Sequence, residues 1–216
     1  MNKIILASQS PRRKELLGKT GFPFEVVVSD CDENTDEKRP DKLVMELASL
    51  KAHDVYLKRN GNIVLGADTV VAHKGEILGK PKDKEEAFSM IKSFAGDTHQ
   101  VYTGVCIIIP KELKNDDTAY DVDETVRDFS MTDEANGNVC ISYNVKTDVI
   151  VSDITDDEIT RYVETGEPMD KAGAYAIQGL FAPFISSING DYYNVVGLPI
   201  CSIYKLLKNG IKPVSF

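Results

Sequence analysis

Short apolar runs with the length of strands alternate along this chain with segments of helical periodicity, and this alternation most constrains its fold. The first run, Ile4-Ile5-Leu6-Ala7, is typical of a short buried strand. Ser10 and Pro11 then suit the N-cap and the first position of a helix. A longer segment carries Leu43 and Leu47 at helical spacing. Strands that alternate with helices predict an α/β protein.

The same signals predict the remaining elements. Strands are expected over residues 24–28, 63–66, 100–109 and 139–151, with a hairpin between 70–72 and 76–78. Helices are expected from Asp83 to Phe94, from the capping box of Thr155 and Glu158 to Gly166, and from Pro199 to Lys208. The two longest strands, 100–109 and 139–151, are expected to pair as a hairpin with the segment 112–137 at its tip.

The bulk properties of the chain exclude several classes of partner. Its 216 residues are enough for a substantial core, and we predict one domain over 1–216. The formal net charge of −9 argues against duplex nucleic acid as a partner. No apolar run approaches the roughly 20 residues that span a bilayer, and the run before Ser8 is too short for a signal peptide. We therefore expect no membrane partner and a cytoplasmic location.

Most of the net negative charge comes from the segment 112–137, which holds nine acidic and two basic side chains. The rest of the chain then carries a net charge of only −2, so that a local basic cluster for an anion is compatible with the total. Low apolar content makes 112–137 typical of a flexible insertion.

The cysteines and histidines do not indicate a zinc site. The four cysteines show no CxxC spacing, and the three histidines show no spacing typical of metal ligands. Cys106 and Cys140 lie in apolar, strand-like runs and are interpreted as inert buried thiols.

The start of the first predicted helix has an unusual charge pattern. The N-terminus of a helix carries a partial positive charge, so acidic side chains are favoured there. This helix instead places Arg12 and Arg13 in its first turn, where an anion between them would remove the repulsion. Ser8 and Ser10 add hydroxyl donors for the same anion. The pattern fits either a phosphate-binding helix start or a solvated basic turn with a serine cap.

Carboxylates and lysines suited to nucleotide chemistry follow at intervals. Asp68 comes after a predicted strand, where an α/β sheet often places a site, although a turn residue would look the same. Glu33 lies in a polar loop and fits a solvated acidic run equally well. Lys51 on an apolar helix and Lys80 beside a predicted hairpin are either phosphate ligands or surface lysines.

In this order, the motifs resemble those of the Maf family of nucleotide pyrophosphatases. The matching stretches, which cover nearly the whole chain except residues 111–138, are 7–17, 32–33, 48–52, 66–71, 79–81, 101–105, 166–179 and 190–199. The resemblance implies an α/β fold like that of the inosine triphosphate pyrophosphatases, with a mixed twisted sheet in two lobes around a central cleft. It also implies a homodimer and hydrolysis of a nucleoside triphosphate to the monophosphate and pyrophosphate.

The resemblance also implies roles for nine residues. Those expected to take part in catalysis are Asp68 as the proton acceptor, Glu33, Lys51 and Lys80. Those expected to bind substrate are Ser8, Arg12, Arg13, Thr69 and Gln178. Glu33 and Asp68 are expected to hold a divalent cation, Mg²⁺ or Mn²⁺, beside which a carboxylate can act as a general base.

The resemblance also points to a substrate branch. Arg12, Thr69 and Gln178 match the branch that acts on dTTP and UTP, and modified pyrimidine nucleotides are possible further substrates. A pyrophosphatase of the 7-methyl-GTP type is one alternative. A non-catalytic nucleotide-binding regulator of cell division is another, although a pure binder needs no water-activating carboxylate. Proteins of this family more often have a glycine-rich segment where this chain has residues 180–184. This difference is expected to alter the cleft wall and therefore the base preference.

Overall fold

The computed structural model of the protein describes residues 3–114 and 123–209. The strands in these ranges are β1 Ile4–Ala7, β2 Phe24–Val26, β3 Ile63–His73, β4 Glu76–Leu78, β5 Thr98–Ile109, β6 Val126–Asp133, β7 Val139–Val151 and β8 Ile185–Asn189. The α-helices in them are α1 Pro11–Gly18, α2 Pro40–Lys58, α3 Lys84–Phe94, α4 Asp156–Glu164, α5 Tyr192–Val196 and α6 Ile200–Leu207. The α/β class predicted from the sequence is confirmed.

The eight strands form one mixed sheet. Its main order is β2-β1-β3-β5-β7-β6, with β4 paired to β3 and β8 paired to β7. Strand β1 runs parallel to both β2 and β3, and the other pairings are antiparallel. The predicted pairing of the two longest strands is confirmed, because β5 and β7 pair from Thr98 with Ile150 to Ile109 with Val139.

The acidic segment contributes a strand to this sheet. Strand β6 lies within it and pairs with β7 on the side away from β5. It forms one end of the main strand order, and most of its side chains are exposed. The prediction that 112–137 is flexible also covers residues 115–122, and those lie outside the described residues.

The position of Asp68 corrects one expectation. The sequence pattern predicts that Asp68 follows a strand, but β3 continues to His73 and Asp68 pairs with Gly104 in mid-strand. The reason is that β1 accompanies β3 only as far as Gly66, whereas β5 accompanies it from Val64 to Ala72. Asp68 therefore lies just beyond the carboxyl end of β1, at the edge where the sheet changes from parallel to antiparallel pairing.

Helix α2 crosses the sheet at very close range. A Cβ atom on Gly66 would collide with the Ala48 carbonyl, and one on Gly104 would collide with the Val44 carbonyl. The missing side chains on β3 and β5 thus let the helix backbone lie directly on the strands. This contact places Lys51 of α2 above the central strands.

Two of the three parts of the hydrophobic core in the described residues lie at opposite ends of strand β5. One surrounds β1, α1 and α6 and includes Leu6 and Leu198, whereas the other lies between α3, α4 and the opposite end of β5 and includes Phe94 and Phe181. A cleft is lined by residues that pack against both parts. Within the described ranges, no helix combines the length and the apolar character needed to cross a bilayer.

Candidate active site

The cleft has a volume of about 840 Å³, which is within the range of small-molecule sites. All nine residues predicted for the site line it. They come from the start of α1, the loop before α2, α2 itself, β3, the loop after β4 and the loop that precedes β8. The fold therefore brings together residues that are up to 170 positions apart, Ser8 and Gln178 being the extremes.

The start of α1 forms one end of the cleft. The Ser10 hydroxyl accepts a hydrogen bond from the Arg13 backbone N–H at 3.4 Å, which confirms Ser10 as the N-cap. The Ser8 hydroxyl accepts one from the Ser10 N–H at 3.1 Å. The first turn has no acidic residue, and the exposed Arg12 side chain lines the cleft. The free N–H groups and the arginine make this helix start an attractive site for an anion.

Arg13 is fixed in place by two hydrogen bonds. Its Nε donates to the Gly197 carbonyl at 2.9 Å, and its Nη2 donates to Thr69 Oγ1 at 3.0 Å. Burial lowers the pKa of the Arg13 guanidinium from its usual value, and the nearby Asp68 carboxylate opposes that shift. Thr69, which was predicted to determine the base preference, here orients Arg13 and also contacts Thr103 Oγ1 at 2.9 Å.

Lys51 joins the two carboxylates predicted for catalysis. Its Nζ lies 2.6 Å from Asp68 Oδ1 and 2.8 Å from Glu33 Oε2. The side chains of Lys51 and Asp68 are only 13% and 14% exposed, whereas that of Glu33 is 51% exposed. Electrostatic interactions between the two buried groups are therefore weakly screened, and Glu33 completes the triad from the solvent side.

The opposite wall of the cleft is built from two loops that hold each other. The Gly173 N–H donates to the Gly79 carbonyl at 3.0 Å and so fixes the loop that carries Lys80. Both Lys80 and Gln178 are exposed side chains on this wall. Glu167 accepts a bond from the Leu180 N–H at 3.0 Å, which closes the loop around Gln178.

Three charged lining residues on this wall were not predicted as site residues, namely Glu167, Asp170 and Lys171. Lys171 Nζ lies 2.5 Å from Asp170 Oδ1 and 3.2 Å from the Glu167 carbonyl. All three fall within the motif 166–179, so the sequence marked their position but gave no reason to assign them a role. Lys171 adds a further ammonium group to the same cleft, and the Asp170 carboxylate balances its charge.

Comparisons with known proteins agree with this picture. The family model described as "Maf-like protein" matches residues 3–210. A dTTP/UTP pyrophosphatase of Lachnoclostridium phytofermentans is 46% identical over 209 residues, which cover 96% of this chain and 95% of the relative. Proteins with the same name from Thermoanaerobacter sp. strain X514 and Bacillus anthracis are each 44% identical. These alignments cover 95% and 96% of this chain, respectively, and 95% of each relative. The chain belongs to the Maf family.

Proposed function

We propose that this protein is a nucleoside triphosphate pyrophosphatase that hydrolyses dTTP and UTP, and modified pyrimidine triphosphates, to the monophosphate and pyrophosphate. The observation that carries the proposal is the triad of Glu33, Lys51 and Asp68 in one cleft with the cationic start of α1. The names of the relatives support the choice of substrate. The reaction adds water across the bond between the α- and β-phosphates.

In this proposal the cations of the cleft bind the triphosphate. The N–H groups of α1, with Arg12 and Ser8, lie at one end of the cleft, and Lys80 lies on the facing wall. Arg13 lies behind the helix start, held by Thr69 and Gly197, and adds a fixed positive charge. Such pre-positioned charges stabilise the negative charge of a transferring phosphoryl group without reorganisation.

Asp68 is proposed as the proton acceptor. Its Oδ1 accepts the bond from Lys51, which leaves Oδ2 to take a proton from the attacking water. Lys51 holds the carboxylate in one orientation. A divalent cation would act as a Lewis acid at this site. The carboxylate oxygens of Glu33 and Asp68 both contact the Lys51 ammonium group, and they are donors of the type that Mg²⁺ and Mn²⁺ prefer.

Gln178 is proposed to face the base. Its amide offers both donors and an acceptor, which suits the edge of a pyrimidine. Its loop is held by Glu167 and by the burial of Phe181 behind it. Thr69 lines the cleft, and it supports the specificity through Arg13, to which its hydroxyl is hydrogen-bonded.

The proposal is tested by assaying a panel of nucleoside triphosphates with Mg²⁺ for release of pyrophosphate. We expect dTTP and UTP to be the best canonical substrates and 7-methyl-GTP to be poor. A first product of orthophosphate, or no turnover of any nucleotide, would contradict the reaction. Tight nucleotide binding without product would instead favour a non-catalytic regulator.

A second test addresses the proton acceptor. Asp68→Asn removes the proton acceptor but keeps the size and hydrogen-bonding capacity of the side chain, so we expect turnover to fall at least about 100-fold while nucleotide binding persists. Asp170→Asn, which changes a more exposed carboxylate in the same cleft, is the matched control. An unchanged rate in the Asp68 variant would remove it from this role.

The proposal includes a homodimer in the cytoplasm, where nucleotides are made and used. Edge strand β6 supports the dimer because it ends the main strand order and exposes Phe129 and Met131. Light scattering should then give twice the chain mass, and Met131→Asp should shift the protein to the monomer. A monomer at all concentrations would exclude the dimer without affecting the proposed reaction.

A further inference from the structure

A second group of polar side chains lies outside the cleft, between α2 and the turn that joins β6 to β7. It contains His53 on α2, Glu134 just after β6 and Cys140 on β7. One ligand atom from each of these side chains lies within 4.8 Å of the other two. Cys106 on the neighbouring strand β5 lies beside this group, with its sulfur 3.6 Å from that of Cys140, and its side chain would turn toward the other three to share an ion with them.

The imidazole of His53 is oriented as in many metal ligands. Its Nδ1 lies 2.8 Å from the Ser49 carbonyl oxygen, so this nitrogen carries the hydrogen and donates it. Its Nε2 points the other way and lies 2.7 Å from Glu134 Oε1. At this distance the two atoms share a hydrogen. A zinc ion in its place would hold them about 3.3 Å apart, so a small outward shift of the two side chains would admit the metal.

Glu134 is also held in one position. Its backbone N–H donates to the Asn138 carbonyl at 2.9 Å, and its own carbonyl accepts from the Gly137 N–H at 2.8 Å. Its Oε2 accepts a hydrogen bond from Asn138 Nδ2 at 3.4 Å, which leaves Oε1 to face His53. The tight turn thus presents a fixed carboxylate oxygen to the group.

The distance between the two sulfurs and the positions of the two cysteines in the sheet fit a metal site better than a disulfide. Two thiolates, each about 2.3 Å from a tetrahedral zinc ion, are about 3.8 Å apart, close to the observed 3.6 Å. Cys106 pairs with Ser142 and Cys140 pairs with Ile108, so the cysteines are diagonal neighbours. The Cα atoms of diagonal neighbours are about 7–8 Å apart, which exceeds the usual range for a disulfide.

We propose that His53, Glu134, Cys140 and Cys106 bind one structural zinc ion. Two thiolates, an imidazole and a carboxylate are the donors that zinc takes in closed tetrahedral sites. The ion would tie α2 to the β6–β7 turn, and its binding would displace the thiol protons. None of the four ligands lines the cleft, so the proposal is independent of the proposed reaction.

The experiment uses the full chain, reduced, freed of metal and reductant, and titrated anaerobically with Co²⁺. Cobalt replaces zinc and gives a thiolate-to-cobalt charge-transfer band only when sulfur is a ligand. We expect this band to saturate at one Co²⁺ per chain and to disappear when one equivalent of Zn²⁺ is added. Asp68→Asn should keep the band, because the cation proposed for the cleft has oxygen ligands.

Three variants test three of the proposed ligands, and a fourth is the control. Cys140→Ser and Cys106→Ser should each reduce the band by at least about half, since each removes one of two thiolates. Glu134→Gln should weaken Co²⁺ binding at least about tenfold while leaving the backbone of the turn intact. Cys201→Ser, which changes an exposed cysteine of α6, is the matched control and should leave the band unchanged.

Thermal unfolding gives a second readout. Zn²⁺ at about a hundred times its dissociation constant should raise the midpoint by roughly 5–10 °C in the Asp68→Asn background, and by much less when Cys140→Ser is added. The proposal is overturned if the reduced protein gives no thiolate-to-cobalt band, or if the Cys140 variant retains the full band and the full thermal shift.

Discussion

At the scale of single residues, burial decides which ionisable groups remain neutral. His99 on β5 is fully buried, with its ring stacked on Phe94 at a centroid distance of 4.2 Å. Its Nε2 lies 2.7 Å from the Tyr175 hydroxyl. Burial, with a smaller contribution from His73, lowers the pKa of His99 to about 3, although Asp97 opposes the shift. His99 is therefore a neutral core residue behind the Tyr175 wall of the cleft.

This lowered pKa predicts a specific sensitivity to acid. Below its ordinary pKa of about 6.5, His99 binds a proton in the unfolded chain but not in the folded protein, so stability falls as the pH decreases from 6.5 towards 3. His99 alone should cost about 2 kcal/mol at pH 5. His99→Gln should therefore lose less stability between pH 7.5 and pH 5 in urea unfolding with a chelator present.

His53 provides the matched control for this prediction. The pKa of His53 is raised, because the bonds to Ser49 and Glu134 outweigh the opposing effect of burial, which is the largest single contribution. Protonation of His53 stabilises the folded protein at pH values below the ordinary pKa of histidine. His53→Gln should therefore not reduce the loss of stability between pH 7.5 and pH 5. If the His99 variant loses as much stability as the wild type, His99 is not the source of the sensitivity.

At the scale of elements, the sequence predicted strands and helices well where local signals were strong. The Ser10 cap and the Thr155–Glu158 capping box both occur in the structure. The sequence did not predict that β3 runs unbroken through Asp68, because the polar residues there resemble a turn. Pairing with β5, a contact between distant parts of the chain, decides that outcome. Strand β6 was missed for the same reason, since only its pairing with β7 distinguishes it from a polar loop.

The crossing of α2 over the sheet gives a prediction at this scale. Gly104→Ala would place a methyl group against the Val44 carbonyl, a backbone atom that cannot move without the helix. We expect a loss of about 1–3 kcal/mol in urea unfolding, as for other overpacked cores. A shift of α2 would also move Lys51 away from Asp68, so pyrophosphate release should fall roughly 100-fold.

Gly18→Ala is the control for this substitution. Gly18 ends α1, and a Cβ there would meet only the Phe24 ring at 3.9 Å, an ordinary contact distance. We expect stability equal to or above that of the wild type, because alanine is the better helix former. Full stability and activity in the Gly104 variant would show that the close crossing does not position the site.

At the scale of the whole molecule, the cleft depends on both parts of the core. Arg12 and Arg13 belong to the end of the sheet that carries α1, whereas Lys171 and Tyr175 belong to the opposite part. The order of the motifs in the sequence predicted which residues share the cleft. No local pattern could have indicated the cluster of His53, Glu134 and Cys140, whose members are brought together only by sheet pairing and by the helix above it.

A ligand that contacts both parts of the core should stabilise the whole fold. A non-hydrolysable dUTP analogue with Mg²⁺, at a hundred times its dissociation constant, should add about 2.7 kcal/mol to the free energy of unfolding. Arg12→Ala should weaken this effect at equal ligand concentration, because the exposed side chain reaches the cleft without supporting the helix.

Thermal unfolding with and without the analogue measures this effect. Lys19→Ala is the control, since it removes a cation just beyond the opposite end of α1, where Lys19 pairs with Glu15. The control should keep the full shift, and Asp68→Asn should keep it as well if Asp68 serves catalysis rather than binding. If the analogue gives no shift with the wild type, the arginines at the start of α1 form a solvated basic turn and not a phosphate site.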